Sequence, residues 1–163
     1  MRTSLERHLG SRQVARTVYG AIVGLTLVVV LHTHPPAAGV TVLWLLGTAV
    51  TVALAEVYSE VVGVETSQRH GVTRRQLAHM LDDAVAVAFG VACPAVFFVL
   101  AWLDLLEVET AFRVATWSGL GLIGFYGFWA ARFAGAGMPR ALAHGAAVAA
   151  VGLVVIGLKA VLH

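Results

Sequence analysis

Blocks of apolar residues long enough to cross a lipid bilayer alternate with short polar segments along the chain. The polar segments contain most of the arginines and three of the four prolines, which mark the limits of the blocks. The pattern predicts an all-α fold, a single domain over residues 1–163 that consists of five transmembrane helices. The predicted spans are 17–31 (with an extension to 34), 40–64, 74–103, 111–131 and 141–162.

The basic segment before the first span has the pattern of a short amphipathic helix over about residues 3–16. Thr3 and Glu6 have the spacing of a capping box, and we expect the segment to lie on the inner membrane surface. A positive tail that only fixes orientation is the alternative. The segment does not have the pattern of a signal peptide, since no small-residue cleavage site follows the first apolar run.

The third predicted helix has clear signals at its start and in its middle. Thr73 and Gln76 have the spacing of a capping box, which predicts that the helix begins at Arg74. At about 30 residues the helix is longer than a bilayer requires, so its first turns are expected to project into the cytosol. Gly90 and Pro94 lie within the span, and a proline there removes a backbone hydrogen bond and favours a kink.

The distribution of basic residues predicts the orientation of the helices. Nine of the eleven Lys and Arg residues fall on one side of the predicted spans, and only Arg113 and Lys159 fall on the other. The amino terminus is therefore predicted to be inside and the carboxyl terminus outside. Because five spans cannot form two equal halves, any two-fold symmetry is expected to come from a homodimer.

Composition supports the membrane class and argues against others. Hydrophobic residues make up 59% of the chain and charged residues only 12%, so we predict an integral membrane protein that is embedded in the lipid bilayer. The net charge of +2 is explained by topology signals and gives no reason to expect a nucleic-acid partner. No phosphate-binding loop, catalytic triad spacing or HExxH motif is present, so an enzyme is not expected and no tightly bound cofactor is predicted.

The most unusual residues are two glutamates inside the second apolar block. Glu56 and Glu60 are four positions apart, so on a helix both side chains leave the same face. A carboxylate within a membrane span is costly, by roughly 2.5–3.5 kcal/mol on insertion scales, and indicates a functional site by default. Burial also raises the pKa of a carboxylate, which would allow exchange of a proton for a metal ion.

Further candidate ligands flank this pair on the predicted cytosolic side. Carboxylate and imidazole groups suit hard or borderline divalent cations such as Mn²⁺ and Fe²⁺. The alternative is that the acids form interface salt bridges with nearby arginines, for which Arg12, Arg16, Arg74 and Arg75 are available. The additional candidate ligands are Glu65, His79, Asp82 and Asp83, with Tyr19 and Tyr58 as supporting residues.

Three stretches together resemble the vacuolar iron transporter family, whose members are five-span homodimers that carry Fe²⁺ or Mn²⁺. Ala55–Ser59 resembles the family's Gly-Glu-Tyr-Leu-Ser stretch, and Gly90–Pro94 resembles its Gly-x-x-x-Pro. The last two glycine-rich spans, with Arg132 and Arg140 in their short loop, are also similar. The resemblance implies that Glu56 lies on a metal pathway.

Two features depart from that family. Tyr19-Gly20 stands where the family has Asp-Gly, and only about a dozen polar residues replace its cytosolic metal-binding insert. We expect a transporter of a divalent cation, with proton exchange as one mechanism. A divergent relative with another cargo or none, a non-transporting scaffold or partner-binding subunit, and a small ion channel remain open. A plasma membrane of bacterial type is the expected location, and an organelle membrane is the alternative.

Overall fold

The computed structural model describes residues 11–68 and 71–162, and in these residues the fold is all-α without strands. The predicted capping box at Thr3 and Glu6 and most of the predicted amphipathic segment lie outside the described residues. The helices, numbered in chain order, are α1 (Ser11–His32), α2 (Ala38–Gln68), α3 (Arg74–Ala92), α4 (Ala95–Trp102), α5 (Val108–Phe133) and α6 (Met138–Leu162).

Two of these helices are long and apolar enough to cross a membrane, over Gln13–His32 and Ala38–Ser67. A third candidate is formed by α3 and α4 together, which are bent by 49° at the break between them. The helix α5 is not apolar enough to count as a span, because Gly, Trp and Tyr residues lower its mean hydropathy. The helix α6 contains a shorter apolar stretch, Met138–Val154. Helices are therefore present at all five predicted spans, the third as two helices, but in the part of the chain that the structure describes only two or three qualify as spans by length and composition.

Local signals account for the ends of α3. The Thr73 side chain accepts a hydrogen bond from the backbone N–H of Gln76, whose side chain accepts one from the Thr73 backbone, so the predicted capping box is present. At the other end Pro94 has no N–H group to continue the helix, and α3 ends at Ala92. The helical path resumes at once as α4, with Pro94 at its N-cap position.

The loops on either side of α5 use left-handed backbone conformations. Asp104, which has a φ of 56°, follows α4 and precedes the turn into α5. Gly135, with a φ of 84°, ends α5, and the Ala136 N–H donates to the Ala131 carbonyl at 3.0 Å. This is the hydrogen bond of a glycine-type helix C-cap, and it allows α6 to turn back against α5.

The helix α1 lies at the centre of the bundle, against α3 and α5. The helix α2 packs on α3 and α4, and α6 packs mainly on α5. Towards the α1–α2 turn, a buried core joins Val28, Leu45, Phe98 and Phe112 from four helices. Farther from that turn, Leu25 of α1 and Ile123 of α5 belong to a second, smaller core.

Candidate functional site

One arginine on α1 links both glutamates of α2. The Arg16 guanidinium contacts the Glu56 carboxylate through Nη1, and its Nη2 donates a hydrogen bond to Glu60 Oε1 at 2.5 Å. The side chains of Arg16, Glu56 and Glu60 are 26%, 12% and 20% exposed, so the group is largely buried. Hydrogen bonds between charged groups are the strong ones, and burial increases their effect.

The helical hairpin brings these three residues to the same level. Residues equally distant from the turn of an antiparallel hairpin lie opposite one another, and Arg16 precedes the Pro35-Pro36 turn by about as many residues as Glu56 follows it. Because Glu56 and Glu60 are one turn apart, the forked guanidinium reaches both. The sequence offers Arg16 as one of four possible salt-bridge partners, and counting residues from the turn selects it among them.

The remaining predicted ligands lie in different surroundings. Glu65, His79 and Asp82 are exposed, whereas Asp83 is buried. Within residues 11–68 and 71–162, no group of three or more His, Cys, Asp and Glu side chains is arranged to hold a metal ion. The structure therefore brings Glu56 and Glu60 together through an arginine and does not assemble the six predicted ligands around one point.

The structure also gives the exposure of the two supporting tyrosines and the position of the helix break. Tyr19 and Tyr58 are both exposed, and their proposed role in orienting a ligand stays a prediction. The helix bends at Cys93-Pro94, where the sequence predicts a kink. Gly90 has a different function, since a Cβ at this position would lie 2.4 Å from the carbonyl oxygen of Thr17. It lets α1 and α3 approach closely.

A contact between a histidine and a glutamate lies at the opposite end of α1. His32 Nε2 is 3.2 Å from both carboxylate oxygens of Glu109 on α5, and its ring stacks on Phe112 at a centroid distance of 4.9 Å. Glu109 is more than half exposed, so solvent screens this pair more than the Arg16 group.

Comparison with protein-family models, curated proteins and solved structures gave no match.

Proposed function

We propose that this protein is a membrane transporter for a divalent cation of the Fe²⁺/Mn²⁺ class, with a pathway that passes Glu56. The observation that supports the proposal most is the Arg16–Glu56–Glu60 group between two helices that are each apolar enough to span a bilayer. Ionisable residues within spans typically pair with one another and mark ion pathways. The resemblance of Ala55–Ser59 and Gly90–Pro94 to vacuolar iron transporters favours the same class.

In this proposal the Arg16 guanidinium occupies the two carboxylates while no cation is bound. An incoming divalent cation replaces it, because two carboxylate groups provide the oxygen ligands that Mn²⁺ and related ions take. Each of the three side chains is partly exposed. Return of the guanidinium, or protonation of a carboxylate, would then release the ion.

The proposal includes the five-span topology with the amino terminus in the cytosol and a homodimeric assembly. The nine-to-two distribution of basic residues supports the orientation, and the apolar character of α6 supports a fifth span. A cysteine at exposed Tyr58, in a chain with Cys93 replaced by Ala, tests the assembly by cross-linking in the membrane. Cross-linked dimers are expected, and a product that stays monomeric would oppose this part of the proposal.

The direct test is Mn²⁺ uptake into proteoliposomes. Glu56→Gln should abolish uptake, since the amide keeps the side-chain shape and removes the charge, while Glu107→Gln should leave uptake unchanged. Glu107 is a suitable control because it is exposed and its side chain makes no capping bond at the start of α5. Unchanged uptake by the Glu56→Gln protein would mean that the carboxylate is structural, and transport past it would be ruled out.

The second candidate function is a non-transporting membrane scaffold or partner-binding subunit. The contact of Arg16 with both glutamates favours it, because an arginine already in place satisfies carboxylates that would otherwise need a cation. Thermal-shift titration with Fe²⁺, Mn²⁺, Co²⁺ and Zn²⁺ separates the two functions: a scaffold should not be stabilised by any of them. A channel is distinguished by flux that neither saturates nor depends on pH.

A further inference from the structure

Asp83 is a largely buried residue whose carboxylate has no ion-pair partner among the described residues. Its residue surface is only 8% exposed, and among the residues that the structure describes it has no hydrogen bond or ion pair. It belongs to the buried side of α3, with Met80, Ala84 and Val87, which faces α1. No side-chain oxygen of the described residues is both sealed from solvent and without a hydrogen bond, so the Asp83 carboxylate keeps some solvent contact. A carboxylate at such a partly desolvated position is stabilised by a nearby cation.

The register of α1 and α3 places Asp83 beside Arg16. A Cβ on Gly20 would lie 2.1 Å from the Val87 carbonyl oxygen, and one on Gly24 would lie 2.7 Å from that of Val91. These two contacts join residues that are 67 positions apart, so the helices run in parallel at a fixed register. One helical turn earlier, the same offset pairs Arg16 with Asp83.

The summed charge of Arg16, the two α2 glutamates and Asp83 favours a divalent ion. Arg16 contributes one positive charge, and Glu56, Glu60 and Asp83 contribute three negative charges, which gives a net charge of −2. One divalent cation neutralises this group, whereas one monovalent cation leaves a buried negative charge. A neutral arrangement has the metal ion on Glu56 and Glu60 and the guanidinium on Asp83.

We propose that Asp83 is the alternative partner of Arg16, which receives the guanidinium when a divalent cation binds Glu56 and Glu60. The part of this inference that concerns the metal rests on the proposed function, but the alternative pairing itself does not. A long arginine side chain changes partners by rotamer changes, without movement of a helix. Asp83 thereby lowers the cost of displacing Arg16, since the guanidinium is never left buried without a carboxylate.

A metal-free experiment tests the pairing. The melting temperatures of Arg16→Gln, Asp83→Asn and the double variant are measured in detergent, in the native background and in a Glu56→Gln/Glu60→Gln background. The two substitutions should be additive in the native background, where the Arg16 side chain is paired with Glu56 and Glu60 of α2. With the α2 carboxylates removed, they should be non-additive by about 2–4 °C, the shift expected for one ion pair in a chain of this size.

Two outcomes of the same melting-temperature measurements would contradict the alternative pairing of Arg16 with Asp83. Additivity in both backgrounds would mean that Arg16 never reaches Asp83, and equal coupling in both would mean that the two residues are always paired. Either result overturns the inference. If the Glu56→Gln/Glu60→Gln protein does not fold, the single Glu60→Gln background replaces it, with a smaller expected non-additivity.

Binding of Mn²⁺ to the purified protein tests the metal part. Asp83→Asn should weaken binding by at least about tenfold, Arg16→Gln/Asp83→Asn should restore it, and Asp104→Asn on an exposed loop should have no effect. If the native protein binds Mn²⁺ and Asp83→Asn binds it equally well, the inference fails and the proposed function stands. If the native protein binds no Mn²⁺ but the metal-free cycle shows coupling, the proposed function fails and the Arg16–Asp83 pairing stands.

Discussion

Gly20 on α1 packs directly against the backbone of Val87 on α3. A Cβ on Gly20 would lie 2.1 Å from the Val87 carbonyl oxygen, closer than real side chains approach a carbonyl. The obstructing atom belongs to a helix backbone, which cannot move aside as a flexible side chain can. Small residues commonly allow this close packing between helices in membranes, and the contact fixes the level at which α1 meets α3.

Gly20→Ala should therefore destabilise the protein strongly. We expect a loss of about 2–3 kcal/mol, because the added methyl group forces two helix backbones apart. The measurement is the midpoint of unfolding in detergent micelles. Gly121→Ala is the matched control, since a Cβ on Gly121 meets no atom within 4 Å and the substitution also raises helix propensity. Equal stability of the two variants would contradict the close contact.

Arg16→Gln should destabilise the protein by about 1–3 kcal/mol, because it leaves two largely buried carboxylates without their shared donor. The triple variant Arg16→Gln/Glu56→Gln/Glu60→Gln should regain most of that loss, since no charge remains unbalanced within the group. The unfolding midpoints of the two variants, compared with the native protein, test this expectation. A triple variant less stable than Arg16→Gln alone would contradict it.

The His32–Glu109 contact provides a comparison within the same chain. Glu109→Gln removes the negative charge from this contact, which is much more exposed than the Arg16 group. Exposed pairs contribute about 0–1 kcal/mol, so we expect the smaller loss here. If Glu109→Gln proved as costly as Arg16→Gln, burial would not be the reason for the strength of the Arg16 contact.

Thr73→Ala should weaken the start of α3. The variant removes the hydroxyl that accepts from the Gln76 N–H, and loss of such a cap costs about 1 kcal/mol. Thr73→Ser keeps the hydroxyl and should stay within about 0.5 kcal/mol of the native protein. Hydrogen exchange of the first turn of α3 is the measurement. Unchanged exchange in the Thr73→Ala protein would show that the cap does not limit opening.

Much of the fold was predictable from local sequence signals. Apolar block length gives the helices, and the Thr73 capping box and the break before Pro94 depend on residues a few positions apart. The number of spans is harder to predict, because the Gly, Trp and Tyr residues of α5 lower its mean hydropathy. Length and composition alone then do not distinguish a transmembrane helix from a helix that only packs against others.

The site was predictable only in part, because it depends on helix phase and register. Glu56 and Glu60 stand out in the sequence, but four arginines were equally available to them, and only the hairpin geometry selects Arg16. Asp82 and Asp83 are neighbours with the same chemistry. The phase of α3 exposes Asp82 and buries Asp83, and that difference depends on how α3 packs on α1.

Phe112 joins three helices near the end of the bundle away from Arg16. It is fully buried, forms an edge-to-face pair with Phe98 at 4.7 Å and stacks on His32. Phe112→Ala should cost about 3–5 kcal/mol, because the cavity removes contacts with all three helices and the edge-to-face pair is lost. Unfolding in micelles is the measurement, with Phe125→Ala as control on the same helix.

Phe125 is more than half exposed, so its truncation should cost about 1 kcal/mol or less. Phe112→Leu should lie between the control and Phe112→Ala, since leucine fills most of the volume but cannot stack on the imidazole. A loss with Phe112→Leu as large as with Phe112→Ala would mean that the ring contacts, and not the filled volume, hold α4 and α5 against α1.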